Sequence, residues 1–137
     1  MARRGGSNLI VGIGTDLCEV ARVEKALQKD TFLRGIYSAA EQELILSNVG
    51  KSRAETAAAN FAAKEAFLKA CGMGLGDFPL AEIGVLRKAS GAPYYALEGS
   101  AARWLEERRL TTHLSLTHES GLACAFAILE QREGGDA

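Results

Sequence analysis

"LIVGIGTDLCEV", Leu9 to Val20, decides the fold class because it admits two readings. An apolar run entering Gly12-Ile13-Gly14 is how a dinucleotide-binding unit opens, and that would make the chain a parallel α/β protein. The fingerprint needs a third glycine three residues after the second, where helix packs on strand. Leu17 stands there instead. A ribose-binding acid belongs about 20 residues further on, whereas Asp16 follows Gly14 at once. No G-x-x-x-x-G-K-[ST] loop occurs elsewhere. The glycines are therefore expected to serve close packing, in a buried strand from Leu9 to Gly14. Asp16 becomes the candidate functional group, at a strand end facing a cleft.

From Glu19 to about Lys29 the period turns helical, with Val20, Val23 and Leu27 on one face. Ser38 and Glu41 form an S-x-x-E capping box ahead of "AAEQELIL". The spacing predicts the longest helix over Ser52 to Ala70, rich in strong helix formers. Gly72 falls where a left-handed C-terminal cap belongs. After "GMGLGDFP" two short strands flank Ser90-Gly91, a short amphipathic helix follows in "SAARWLEERRL", and two alternating strands flank Glu119-Ser120-Gly121. Helices and hairpins without regular βαβ spacing indicate an α+β fold, a long buried helix on a mostly antiparallel sheet.

The 137 residues suit one domain, expected over 9–131 between a flexible leader (1–8) and a flexible tail (132–137). A net charge of -1 gives no global pull toward nucleic acid or membrane, so a charged partner must meet a local patch. "MARRGGSN" has no apolar h-region behind its arginines and does not read as a secretory signal. Cys18, Cys71 and Cys124 are odd in number and lack zinc spacing. They read as reduced, mostly buried residues of a cytoplasmic protein.

Two further clusters bear chemistry. In "FAAKEAFLKACGMG", Glu65 and Lys69 lie about 40° apart around the helix and share a face, with Lys64 about 100° from Glu65. An i,i+4 ion pair on a solvated face accounts for that spacing. Alanines at positions 57–59, 62, 63 and 66 make the helix apolar nearly all round, however, and charges on a buried helix need partners. A metal and a polyphosphate would supply them. In "HLSLTHESGLACAFAI", Leu114, Leu116 and His118 fall on one strand face, with His118 at the turn end. Alone, such a histidine reads as a polar residue of the surface.

"GIGTDLCEVARVE", "FAAKEAFLKACGMG" and "SLTHESGLACA" together resemble, in order, the three signature blocks of the holo-acyl-carrier-protein synthases, the small bacterial 4′-phosphopantetheinyl transferases. "GAPYYAL" resembles the family's connecting hairpin, so the likeness covers almost the whole chain. Phe61 stands where many relatives have Trp, Met73 interrupts the usual G-T-G, and Thr117 replaces a frequent Ser.

The resemblance implies transfer of phosphopantetheine from coenzyme A to a serine of an acyl carrier protein, releasing adenosine 3′,5′-bisphosphate. It implies Mg²⁺ on Asp16 and Glu65, with Lys69 stabilising charge on phosphate oxygens and Glu65, or a water, taking the serine proton. Lys64, His118, Gly72 and Gly74 match positions around coenzyme A. Arg22 matches the arginine turned toward the acidic carrier protein. Lys25 and Lys29 would continue it as a stripe at i, i+3 and i+7, and Ala21 to Arg34 carries a net +2. The family is trimeric, with each site between subunits. Two alternatives stand beside this reading. A non-catalytic coenzyme A or nucleotide binding module would bind ligand and leave the carrier unmodified. A structural trimer would tolerate Glu65→Gln.

Overall fold

β1 (Leu9–Glu19) pairs antiparallel with β5 (Leu122–Gln131), which pairs with β4 (Leu110–Glu119), giving the sheet order β1-β5-β4. The computed structural model describes residues 9–132. α4 (Gly50–Ala70) crosses this sheet, and the interface is built of very small residues. A Cβ at Gly12 would fall on the Ala70 carbonyl, and one at Gly14 on the Ala66 carbonyl. Ala123, Ala125 and Ala127 of β5 are fully buried on the same side. Glycine and alanine on strand and helix let the two backbones approach closely, as the failed fingerprint suggests.

The other side of α4 is covered by a second, two-stranded sheet, β2 (Ile83–Arg87) and β3 (Pro93–Leu97). There Phe67 stacks against Tyr95 at 5.2 Å between ring centroids, and Tyr95 donates its hydroxyl proton to the Ala63 carbonyl at 2.6 Å. The expected helix is thus buried on both sides, and the antiparallel strands fall into two sheets. α4 ends in a Schellman motif, with Met73 N–H on the Leu68 carbonyl and Gly72 N–H on the Lys69 carbonyl, and Gly72 at φ 74°. A short amphipathic helix, Gly99–Glu107, bridges the hairpin to β4.

Three expectations change. β1 is neither short nor buried: it runs through Asp16 to Glu19, and Ile13 and Leu17 are 60% and 61% exposed. Only its alternate positions, Gly12, Gly14, Asp16 and Cys18, face α4, because period two sends their neighbours to the outer face. Second, the helix after β1 stops early. α1 covers Val20–Ala26, Lys29 takes an extended backbone, and a separate helix α2 (Asp30–Ile36) starts with Asp30 in its first turn, where an acid suits the helix dipole. Third, all three cysteines are free but only half-buried.

α3 (Ala39–Ser47) opens with the expected capping box, Ser38 accepting from Glu41 N–H and Glu41 accepting from Ser38 N–H. The leader, and the tail beyond Arg132, lie outside the described residues; Arg132 N–H donates to the Arg109 carbonyl.

Candidate active site

Asp16 reaches the site from β1 and Glu65 from α4, and both line one cavity of about 390 Å³. Asp16 sits opposite Ala125 in mid-strand, not at a strand end, on the face turned to the helix. Arg22 lines the same cavity from α1, while Phe32 and Phe61 contribute an apolar wall. Lys69 does not pair with Glu65, as a plain i,i+4 bridge would. Its Nζ lies 3.3 Å from Asp16 Oδ1 and donates to the Thr15 carbonyl at 3.0 Å, leaving the side chain 54% exposed. One cation and two carboxylates from distant segments therefore converge.

Burial, and after it the Asp16 charge, push the Glu65 carboxyl above the usual carboxylate range, with Lys69 pulling the other way. A carboxyl whose ionisation a neighbouring carboxylate opposes is one that a divalent cation relieves. Mg²⁺ binds hard oxygens and usually takes one or two carboxylates, completing its shell with phosphate oxygens and water. Asp16 and Glu65 fit that requirement. Among the described residues, no three His, Cys, Asp or Glu side chains form a metal cluster.

The raised value has a sign that can be measured. Folded and metal-free, Glu65 holds its proton to higher pH than it does unfolded, so the folded state binds more protons across that window. Stability of the metal-free protein is expected to fall as pH rises from the ordinary carboxylate range through the raised value. Glu65→Gln should remove that slope, as urea denaturation across pH would show. Parallel pH profiles for the two proteins would contradict it.

Lys64 is a correction. It is fully buried and faces no open site. Its ammonium donates to Glu41 Oε1 at 2.6 Å and to the Leu80 and Ile83 carbonyls at 2.9 Å each, and lies 5.3 Å from the Tyr37 ring centroid. Burial lowers its pKa and Glu41 opposes that shift. With three donors already used, it has none to offer a coenzyme A phosphate. The charge on this buried helix does have a partner, but the partner is a carboxylate.

His118 lies elsewhere. Its Nδ1 is 3.8 Å from Glu55 Oε2 near the start of α4, beside a second cavity lined by Ser52, Thr56 and Arg87. Glu55 and Glu65 are ten residues apart on one helix, about 15 Å along its axis. A single chain does not bring His118 to Asp16. Gly72 and Gly74 follow the end of α4; Gly74 N–H donates to Asp77 Oδ2 at 2.8 Å, and the adjacent Leu75 lines the cavity of Asp16 and Glu65. Lys25 is exposed in the last turn of α1, but Lys29 lies beyond the helix, so the three-residue helical stripe is broken after Lys25.

Sequence reasoning missed Glu41, Asn60 and Arg87 as the polar surroundings of Lys64. Asn60 donates to Glu41 Oε2 and to the Val85 carbonyl, and accepts from Arg87. Only the capping box pointed at Glu41, and it pointed to a helix start.

A long helix on an antiparallel sheet brings two acids to one cavity with a lysine against one of them, and comparison with known proteins identifies the class as a phosphopantetheinyl transferase. The family model for the 4′-phosphopantetheinyl transferase superfamily matches residues 12–127. A holo-[acyl-carrier-protein] synthase of Lachnoclostridium phytofermentans is 42% identical over 123 residues, covering 89% of this chain and 97% of the relative. One from Treponema denticola is 41% identical over the same length, covering 89% and 99%. A crystal structure of a holo-(acyl-carrier-protein) synthase from Bacillus anthracis, in complex with CoA (3′,5′-ADP), superposes with a TM-score of 0.76 at 33% identity, covering 89% of this chain and 97% of that one. The chain belongs to the 4′-phosphopantetheinyl transferase superfamily, in its holo-[acyl-carrier-protein] synthase family.

Proposed function

We propose that this chain transfers 4′-phosphopantetheine from coenzyme A to a serine of apo acyl carrier protein, with Asp16, Glu65 and Lys69 as its catalytic centre. The meeting of Asp16 and Glu65 at one cavity, with the Lys69 ammonium 3.3 Å from Asp16, is the observation that carries the reading. The serine Oγ forms a bond to the β-phosphorus while the pyrophosphate P–O bond breaks, and adenosine 3′,5′-bisphosphate leaves. Glu65, or a water it holds, accepts the serine proton. Lys69 is held near Asp16 with much of its side chain in solvent, free to meet the charge that grows on phosphate oxygens. Mg²⁺ on Asp16 and Glu65 would neutralise the leaving phosphate and polarise the phosphoryl group.

Gly72, Gly74 and His118 belong on the coenzyme A side of this reading. Because His118 and Glu65 stand apart within one chain, the site would be completed between copies in a homotrimer. The exposed apolar outer face of β1 and β5, with Ile13, Leu17 and Phe126, supports such an assembly. The free thiols support a reducing, cytoplasmic setting. No helix among the described residues is long and apolar enough to cross a membrane.

Intact mass spectrometry of apo carrier protein incubated with this chain, coenzyme A and Mg²⁺ tests the reaction. The expected result is a gain of one phosphopantetheine group, abolished by chelator. No gain while coenzyme A still binds would favour a non-catalytic binding module.

Arg22 and Lys25, exposed on α1 beside the cavity, would receive the acidic carrier, with Lys29 beyond the helix end as a further contact. Arg22→Glu is expected to raise KM for the carrier about tenfold at low salt, an effect that shrinks as ionic strength rises. Steady-state kinetics at two salt concentrations would check this, and an unchanged KM would place docking elsewhere.

A further inference from the structure

We propose that Glu41 is a positioning residue: through Lys64 it sets the rotation of α4 about its own axis and so aims Glu65 at Asp16. The inference rests on the proposed role of Glu65 as a metal ligand. It begins with the face of α4 that meets β1 and β5. Gly12, Gly14 and the alanines there let the backbones approach, but such small side chains make shallow ridges and grooves. That face sets the distance between helix and sheet and resists rotation only weakly.

Rotation matters to the chemistry. Glu65 projects to a radius of about 5–6 Å, so a 20° turn of the helix carries its carboxylate about 2 Å. Mg²⁺ holds oxygens at about 2.0–2.1 Å and demands near-octahedral geometry. Something must hold the angle.

The buried polar cluster next to Glu65 is placed to do so. Glu41, Asn60 and Lys64 are fully buried, and no buried side-chain polar atom among the described residues lacks a partner. Glu41 takes Lys64 on Oε1 at 2.6 Å and Asn60 on Oε2 at 2.9 Å, while Ser38 N–H also donates to Oε1 at 2.9 Å. Lys64 and Asn60 then reach the Leu80, Ile83 and Val85 carbonyls. Lys64 and Asn60 lie one turn apart on the same side of α4, so the cluster grips that side against the start of α3, the 3₁₀ turn at Leu80–Glu82 and β2. Directional hydrogen bonds hold an angle that an alanine face does not. Lys64 is the immediate neighbour of Glu65, about 100° around the helix, so the grip acts at the catalytic turn itself.

The test uses Mn²⁺ as the metal probe, its binding to the full chain with coenzyme A followed by electron paramagnetic resonance. Glu41→Gln, the double variant Glu41→Met/Lys64→Met and Glu65→Gln are compared with the parent, with folding checked by circular dichroism. Replacing both members of the buried ion pair by apolar residues leaves no unpaired buried charge, although the Leu80 and Ile83 carbonyls, the Ser38 N–H and one Asn60 N–H lose a partner. The double variant therefore separates positioning from folding. Glu41→Gln is expected to weaken Mn²⁺ binding at least about tenfold, and the double variant to keep the parent's circular dichroism yet bind Mn²⁺ as weakly. If Glu41→Gln does not fold, the double variant decides alone. Parent-like Mn²⁺ affinity in the double variant overturns the proposal, provided Glu65→Gln abolishes binding. Parent-like affinity in Glu65→Gln as well overturns the metal reading, and this inference with it.

Discussion

Asp16→Asn should lower kcat/KM for transfer on the order of 10²–10³-fold, the scale seen when one group stabilising a transition state is removed, while the protein folds as before. The size follows from what the site would lose. Asparagine keeps the shape of the side chain and one oxygen, but it removes a negative charge from the proposed two-carboxylate metal site. The fold has little at stake in that charge. Asp16 meets Lys69 at 3.3 Å, and Lys69 is 54% exposed, so this is a contact of the kind worth about 0–1 kcal/mol. Removing the charge also relieves Glu65, whose carboxyl Asp16 helps push upward. The variant should therefore melt within a few degrees of the parent and need far more Mg²⁺ for the residual rate. Full activity with Mg²⁺ limiting would refute the assignment of Asp16.

Gly14→Ala should do the reverse, damaging the fold before the chemistry. A methyl there would fall on the Ala66 carbonyl oxygen and 2.7 Å from the Ala70 backbone nitrogen. Those atoms are helix backbone and cannot turn aside as a side chain would. Nor can α4 retreat, because Tyr95, Phe67 and the Lys64 cluster hold it from behind. The expected loss is about 3 kcal/mol or more, at or above the upper end for overpacking and a large share of a typical 5–15 kcal/mol. Gly35→Ala is the control. It sits in α2, and nothing lies within 4 Å of the point its methyl would occupy, so it should be neutral or slightly stabilising. Urea denaturation of the pair gives the answer; equal stability would mean that close packing of β1 on α4 is not what Gly14 supplies.

The contrast between these two residues shows where sequence reading works. Gly14 and Asp16 stand two apart in one strand, on one face, and the failed dinucleotide fingerprint separated their roles: the glycine for approach, the acid for chemistry. The capping box at Ser38, the C-terminal cap at Gly72 and both hairpins were equally legible, because each is a local pattern within a few residues. Lys64 was not. The match to the family motif placed it near phosphate, whereas its actual partner, Glu41, lies 23 residues away on another helix. The helical stripe to Lys29 broke for a related reason: helical spacing held only as far as the helix did.

The sequence by itself determined the α+β class, the long buried helix, the hairpins and the candidacy of Asp16, Glu65 and Lys69, since periodicity and capping are short-range properties of the chain. Only the tertiary structure decided that Lys69 meets Asp16 and not Glu65, that Lys64 is sealed against Glu41, and that β1 turns an apolar outer face to solvent while His118 stands about 15 Å along α4 from the acids. Those outcomes depend on which distant surfaces meet. Contact between segments far apart in sequence is set by packing of the whole core, and no local pattern encodes it.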